Sequence, residues 1–301
     1  YRISISLDAS NPHVFQNIGL ALKSRGDFQK ALGAFRQAAS LFPDYADAYH
    51  NMGSTLLQTG DAQQALSAFA KAAELDPSNH SANYMVAALS GENPQSAPSE
   101  YVRELFDQYS SRFESHLADT LDYQTPRLLR NCLERIAGKK KRFENVLDLG
   151  CGTGLAGKVF REKADRLVGV DISPEMVNIA RGKGLYDQLF VDEIGGFLTD
   201  CDQSFDLVVA ADVFVYFGNL EKPFADVAEK LHQNGWFVFS TESHAGNGYM
   251  LTSSGRFSHS RAYVQSLSDK YFFRLAAAEQ AVLRMEEGRP AEGDCYVLKK
   301  E

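Results

Sequence analysis

Val146-Leu147-Asp148-Leu149-Gly150-Cys151-Gly152-Thr153-Gly154-Leu155 is the stretch on which the fold turns. An apolar strand over 143–149 breaks into a glycine-rich turn, and a helix starts near Leu155. Glycines spaced G-x-G-x-G let the backbone approach a ligand that a Cβ would push away. Backbone N–H groups at the helix N-terminus suit an anionic or carboxylate-bearing ligand. A dinucleotide fingerprint runs G-x-G-x-x-G, with an acid about 20 residues further on. Here the third glycine comes one residue early and Asp148 precedes the first, which separates this turn from a nicotinamide or flavin domain. A second apolar strand, Arg166-Leu167-Val168-Gly169-Val170, ends in Asp171, where an acid on a second strand meets ribose hydroxyls.

Outward from this stretch, strands and helices alternate. Strands are expected at 143–149, 166–171, 187–191, 205–210 and 235–241. Helices are expected at 125–137, 155–163, 174–181 and 221–231. This alternation predicts a parallel α/β sheet. The last stretch differs: two β-like runs, 279–285 and 294–299, are joined by residues 286–293.

The D-x-G-x-G-x-G pattern followed by Gly169-Val170-Asp171-Ile172-Ser173 resembles motif I and its successor in class I S-adenosylmethionine-dependent methyltransferases, over roughly Tyr101 to Lys300. The resemblance implies an α/β class fold: a Rossmann-like sheet with a terminal antiparallel hairpin. It also implies S-adenosylmethionine as cofactor and S-adenosylhomocysteine as product. Asp148, Gly150, Gly152 and Gly154 would then meet the methionine moiety, and Asp171 both ribose hydroxyls. Ile172 and Met176 would flank the adenine. Asp192, with Glu193 as competitor, matches the acid that the family aims at the adenine amino group. Ala211 and Asp212 would face the methionine end or the acceptor.

Ser99, a candidate cap, opens an aromatic-rich helix containing Leu105-Phe106-Asp107-Gln108-Tyr109. It resembles the segment that covers the cofactor in small-molecule methyltransferases, which implies roles for Tyr109, Arg112 and Tyr123 in closing the site. A sulfonium methyl is already activated, so the protein must mainly align a nucleophile and exclude water. A base is needed only for an acceptor that arrives protonated. Candidates are Asp212, Tyr216, Glu242, His244 and His259, of which Tyr216 and His259 are carried forward as catalytic. Residues 243–263, rich in Gly, Ser and His, read as a loop with a short helix over the acceptor.

The first ninety residues repeat every 34: Gly19 as Gly53, Ala31 as Ala65, Phe35 as Phe69, Ala38 as Ala72 and Pro43 as Pro77. This period resembles the tetratricopeptide repeat, an all-α helix–turn–helix unit. Two full units, about 12–45 and 46–79, are flanked by Ile5–Asp8, the tail of an earlier repeat, and by a lone helix over 81–89. The small residues allow close helix approach, Phe35 and Phe69 fill the space between repeats, and Asp27 and Asp61 cap the second helices. A solenoid needs about three units. Either further repeats precede Tyr1 or the last helix packs on the second domain. Asn17 and Asn51 occupy equivalent positions, resembling the asparagine ladder with which the repeats of O-linked N-acetylglucosamine transferases hold a peptide backbone.

The domains are therefore expected at 1–91 (repeats), 92–99 (a Pro- and Gly-containing linker) and 100–301 (the methyltransferase with its lid helix). The combination resembles a bacterial family of predicted repeat-containing methyltransferases, on Leu105–Tyr109, Ala210–Tyr216 and the R-x-E-x-G run at Arg284. The expected function is methyl transfer to an unidentified acceptor, with the repeats recruiting a protein or peptide. A small-molecule acceptor and a non-catalytic binding platform are the alternatives. A net charge of −8 argues against a nucleic-acid partner. Four scattered cysteines without a C-x-x-C pair argue against a disulfide framework or zinc site. No apolar run reaches transmembrane length, and a cytoplasmic location is expected.

Overall fold

The computed structural model describes residues 10–110, 123–286 and 289–301. The chain divides into two compact units. One takes residues up to Pro94 together with Leu251–Gly255; the other takes Gln95–Met250 and Arg256–Glu301.

The first unit is helical: α1 (Pro12–Ser24), α2 (Phe28–Leu41), α3 (Ala46–Gln58), α4 (Ala62–Leu75) and α5 (His80–Leu89). Gly26 and Gly60 take φ of +79° and +82° between the paired helices, a region glycine enters without a Cβ penalty. The Asp61 side chain caps α4 by accepting from the Gln64 N–H. Asp27 makes no such bond and stands near Arg25 and Lys30 instead. The two phenylalanines differ from expectation. Phe35 and Phe69 lie over the glycines of their own repeats, so a Cβ at Gly53 would come within 2.9 Å of the Phe69 ring. Each ring therefore fills the gap inside a repeat, because a glycine one helix earlier is the only residue small enough to lie under it. The expected tail at Ile5–Asp8 lies outside the described residues.

The second unit opens with α6 (Ser99–Tyr109) and α7 (Thr125–Ala137). The sheet strands are β1 (Phe143–Leu149), β2 (Ala164–Asp171), β3 (Gln188–Val191), β4 (Phe205–Ala210), β5 (Leu231–Ser243), β6 (Tyr249–Leu251), β7 (Phe257–His259), β8 (Phe273–Glu286) and β9 (Arg289–Lys300). The parallel order is β3-β2-β1-β4-β5. Next to β5 lies antiparallel β9, and next to β9 antiparallel β8, which is the expected terminal hairpin. Helices α8 (Leu155–Phe160), α9 (Pro174–Gly182), α10 (Ile194–Asp200), α11 (Glu221–Lys230) and α12 (Arg261–Lys270) complete the unit. One sheet face buries a phenylalanine cluster that includes Phe205, Phe214, Phe224, Phe237, Phe239 and Phe273. The other buries Leu129, Leu133, Phe160 and Leu167 under α7 and α8.

Local expectations needed four corrections. α8 ends at Phe160 and tightens into a 3-10 turn, Arg161–Lys163. Ser99 is the first helical residue and caps nothing; Pro98 holds the cap position. Residues 243–263 are not one loop. They form β6 and β7, and β7 extends β5 by pairing Glu242 with Ser258 and Ser243 with His259. That pairing is tertiary, so a Gly- and Ser-rich composition hides it. Finally, part of the expected linker already belongs to the sheet unit: Ala97 N–H donates to the Tyr216 carbonyl at 2.8 Å, and the Gln95 carbonyl accepts from Gly218 and Asn219.

Candidate active site

The carboxyl ends of β1, β2 and β4 converge on the glycine turn. Gly150, Gly152 and Gly154 take φ of +64°, +51° and +91°. A Cβ on Gly150 would come within 2.6 Å of Val213, so this position needs glycine for both conformation and space. Asp148, at the end of β1, is buried. Its Oδ2 accepts from the Tyr186 hydroxyl at 2.6 Å, while its Oδ1 has no hydrogen-bond partner among the described residues. Burial pushes this carboxyl up to about 7; the Tyr186 hydrogen bond pulls it down and the Asp171 charge pushes it further up.

Asp171, at the end of β2, accepts from the N–H groups of Gly152 at 2.8 Å and Ser173 at 2.9 Å. Burial raises its pKa, and those backbone donors oppose the rise. Ser173 caps α9 through Met176 N–H and donates its hydroxyl to Asp107 of α6 at 2.5 Å. The aspartate of the Leu105–Tyr109 segment thus ties α6 beside Asp171. Tyr109, half-buried, closes that helix; Arg112 lies outside the described residues.

Ile172, Asp192 and Glu193 line one cleft of about 410 Å³, with Arg103, Pro174 and Val191. Asp192 and Glu193 are exposed there, and Asp192 Oδ1 accepts from Glu193 N–H at 2.8 Å. Met176 does not line the cleft. It is fully buried on the inward face of α9 with Val177 and Ala180, where the helical period places it. A larger hollow of about 630 Å³ runs along α11, and none of the expected site residues line it.

Beyond β4, Asp212 takes φ of +61°, a left-handed conformation that aspartate tolerates better than most residues. Its N–H donates to Ser240 Oγ at 2.9 Å, and the carbonyl of Ala211 accepts from the Tyr123 hydroxyl at 3.4 Å. Arg284, almost fully buried on β8, donates to Asp212 Oδ1 at 2.9 Å and to Glu242 Oε1. Arg256 stands 3.8 Å from Asp212 and 3.7 Å from Glu242. Burial raises the Glu242 pKa, against the pull of both arginines. Tyr216 is buried against Phe106, with ring centroids 5.5 Å apart, and burial raises its pKa in turn.

His259 is not in this group. It is fully buried, and its Nε2 lies 2.9 Å from the Phe217 carbonyl and 3.1 Å from the Gly218 carbonyl. Two acceptors require Nε2 to carry the proton. The other nitrogen, Nδ1, is buried without a partner among the described residues. Burial lowers its pKa to about 4, against the raising effect of those carbonyls. An imidazole held this way pins a loop and has no accessible lone pair to offer an acceptor.

A methyltransferase-domain family model matches residues 121–275, just over half of the chain. The chain belongs to this methyltransferase family. Methyl transfer from S-adenosylmethionine is the reaction of that class. A tetratricopeptide repeat model matches residues 17–80. The 18S rRNA (guanine-N(7))-methyltransferase of Mus musculus is 26% identical over 147 residues, 49% of this chain and 51% of that protein. This methyltransferase chain spans about half the length of such curated relatives, or less. Magnesium protoporphyrin IX methyltransferase of Synechocystis PCC 6803, solved with bound SAH, superposes with a TM-score of 0.51 at 15% identity, over 68% of this chain and 100% of that one. The [4+2]-cyclase SpnF superposes with a TM-score of 0.54 at 17% identity, over 69% of this chain and 97% of that one. Identities this low carry the fold alone, and a cyclase among the neighbours shows that this fold hosts more than one chemistry. Among the described residues, no helix is long and apolar enough to cross a membrane.

Sequence reasoning missed Tyr186 and the ion pairs of Arg284. The signal for Tyr186 was present as unexplained glycines, Gly157 and Gly169, whose Cβ atoms would strike its ring. For Arg284 no local signal exists, since its partners are 72 and 42 residues away.

Proposed function

We propose that this chain transfers a methyl group from S-adenosylmethionine to a nucleophile presented beside Asp212, Tyr216 and Glu242, with the repeats recruiting a protein or peptide partner. One observation carries the cofactor half of the reading: a buried carboxylate, Asp148, keeps one oxygen unpartnered at the edge of a three-glycine turn. A buried acceptor of this kind calls for a donor, and the α-ammonium of a methionine moiety provides one. Asp171 would then accept from the ribose, and the cleft of Ile172, Asp192 and Glu193 would take the adenine. S-adenosylmethionine supplies a methyl group already activated on a sulfonium.

The remaining work falls to this chain's own residues. Tyr216, whose pKa burial raises, stays a neutral phenol near pH 7 and orients an acceptor by hydrogen bonding. Asp212 and Glu242, held by Arg284, are the carboxylates able to take a proton from an acceptor that arrives protonated. On the repeats, Asn17 is exposed, while Asn51 donates to the Asp47 carbonyl of its own helix at 2.9 Å. Asn17 is therefore the better placed of the two to meet a peptide amide.

Titration calorimetry of the full chain with S-adenosylmethionine and S-adenosylhomocysteine tests the reading. Micromolar binding that disappears in Asp171→Ala is expected. No binding of either ligand would overturn it.

A further inference from the structure

We infer that Tyr186 is a positioning residue for Asp148: its hydroxyl holds one carboxylate oxygen so that the other faces the cofactor's ammonium group, and it thereby couples cofactor capture to pH. This rests on the cofactor reading above.

Tyr186 lies between α9 and β3. Its hydroxyl is saturated in one direction only. Gly157 N–H donates to it at 3.1 Å, so its own proton is directed to Asp148 Oδ2 at 2.6 Å. The ring has no room to swing. A Cβ at Gly169 would come within 2.9 Å of its Cδ1 and Cε1, and one at Gly154 within 3.1 Å of its Cε2. A Cβ at Gly157 would overlap its Cζ and hydroxyl. Three glycines, from the turn, α8 and β2, form the seat of one aromatic side chain. A seat this tight delivers a hydroxyl to a fixed point, and that point is the carboxylate whose second oxygen is unpartnered. Phenylalanine would fill the same seat, so packing alone does not call for a tyrosine.

The groups facing Asp148 set the direction of the pH effect. They are Tyr186 before β3, Asp171 at the end of β2, Cys151 in the turn and Tyr123 before α7. Among the described residues, Tyr186 alone lowers the Asp148 pKa; the neighbouring Asp171 charge raises it, and burial raises it most, to about 7. Below that pH the carboxyl is protonated and cannot pair with an ammonium ion. Affinity for a ligand with a methionine-type end therefore climbs as pH rises through about 7. It falls again at higher pH, as the ligand's own ammonium loses its proton. Removing the Tyr186 hydroxyl raises the Asp148 pKa and moves the climbing limb to higher pH.

The experiment is calorimetric titration of the full chain, Tyr186→Phe and Asp148→Asn with S-adenosylhomocysteine from about pH 5.5 to about pH 9, across the climbing limb. Methylthioadenosine, which lacks the amino-acid end, is the second probe. For Tyr186→Phe the expected result is roughly tenfold weaker S-adenosylhomocysteine binding at pH 7, with the climbing limb shifted upward. Methylthioadenosine binding should be unchanged and flat with pH, and Asp148→Asn should lose the climbing limb altogether. A Tyr186→Phe profile that superposes on the parent's overturns the inference and leaves the cofactor reading standing. Equal weakening of methylthioadenosine overturns it too, because the tyrosine would then be only packing. Absence of parent binding at every pH overturns the cofactor reading, and this inference with it.

Discussion

In the repeat unit, Gly53 faces Phe69 of its own repeat; in the sheet unit, Gly154, Gly157 and Gly169 face Tyr186. The steric device is the same in both: omit a Cβ and seat an aromatic ring in the space. The consequences differ by one oxygen. Phe69 and its neighbours Ala65 and Ala72 complete an apolar contact that any well-fitting hydrocarbon would satisfy. Tyr186 spends the same seat on aiming a hydroxyl at a buried carboxylate. Glycine-for-aromatic pairing is thus a packing solution in one unit and a means of placing charge in the other.

The largest effect should come from emptying the packing seat. Phe69→Ala is expected to cost about 3–5 kcal/mol of repeat stability, read as a lowered thermal transition of the helical signal; a change under about 1 kcal/mol would mean that the seat collapses at little cost. On the charged side, Arg284→Met leaves the partly buried Asp212 and Glu242 beside each other without their principal cation. Breaking a buried pair in this way should cost about 3 kcal/mol in chemical denaturation and impair methyl transfer more than cofactor binding. Gly157→Ala presses a methyl group into the Tyr186 ring. Overpacking of this kind should cost about 1–3 kcal/mol and weaken S-adenosylhomocysteine binding, whereas a methyl at the open surface position Gly33, with nothing within 4 Å, should do neither.

The pH dependence of stability sharpens the contrast further, since Phe69 has none. The folded-state pKa of Asp148, about 7, lies above the usual carboxylate value. Between the two, the folded chain keeps a proton that the unfolded chain has lost. Stability of the cofactor-free protein therefore falls as pH rises through that window, by up to about 1.4 kcal/mol per unit. His259 acts in the opposite sense: its pKa is lowered to about 4, so the unfolded chain binds the extra proton and stability is lost as pH falls from about 6.5 toward 4. The check is the difference between Asp148→Asn and the parent in melting experiments at about pH 5, inside that window, and at about pH 8, above it; the variant should gain relative stability at the higher pH. Smallest is Asn17→Ala, an exposed position expected to change stability by less than about 0.5 kcal/mol while weakening capture of a peptide partner.

Some of this was legible residue by residue. The 34-residue period placed Gly53, Phe69 and Pro77, because each repeat solves the same local packing problem with the same residues. The turn from Leu149 to Leu155 was legible because a glycine at positive φ is a local requirement, and Asp171 because a strand end followed by a Ser-Pro cap is a local pattern. His259 was misleading for the complementary reason. Its residue type suggests a base, but whether both ring nitrogens are enclosed depends on where Phe217 and Gly218 fold back against it.

By itself, then, the sequence determined the backbone plan: a helical repeat array, an α/β sheet and a glycine turn flanked by Asp148 and Asp171. Periodicity and backbone conformation act over a few residues, so they are written locally. Only the tertiary structure decided what those residues meet. Tyr186 reaches Asp148 across 38 positions and Arg284 reaches Asp212 across 72. Contacts of that range are set by strand register and by the space left under neighbouring side chains, and no short stretch of sequence contains either.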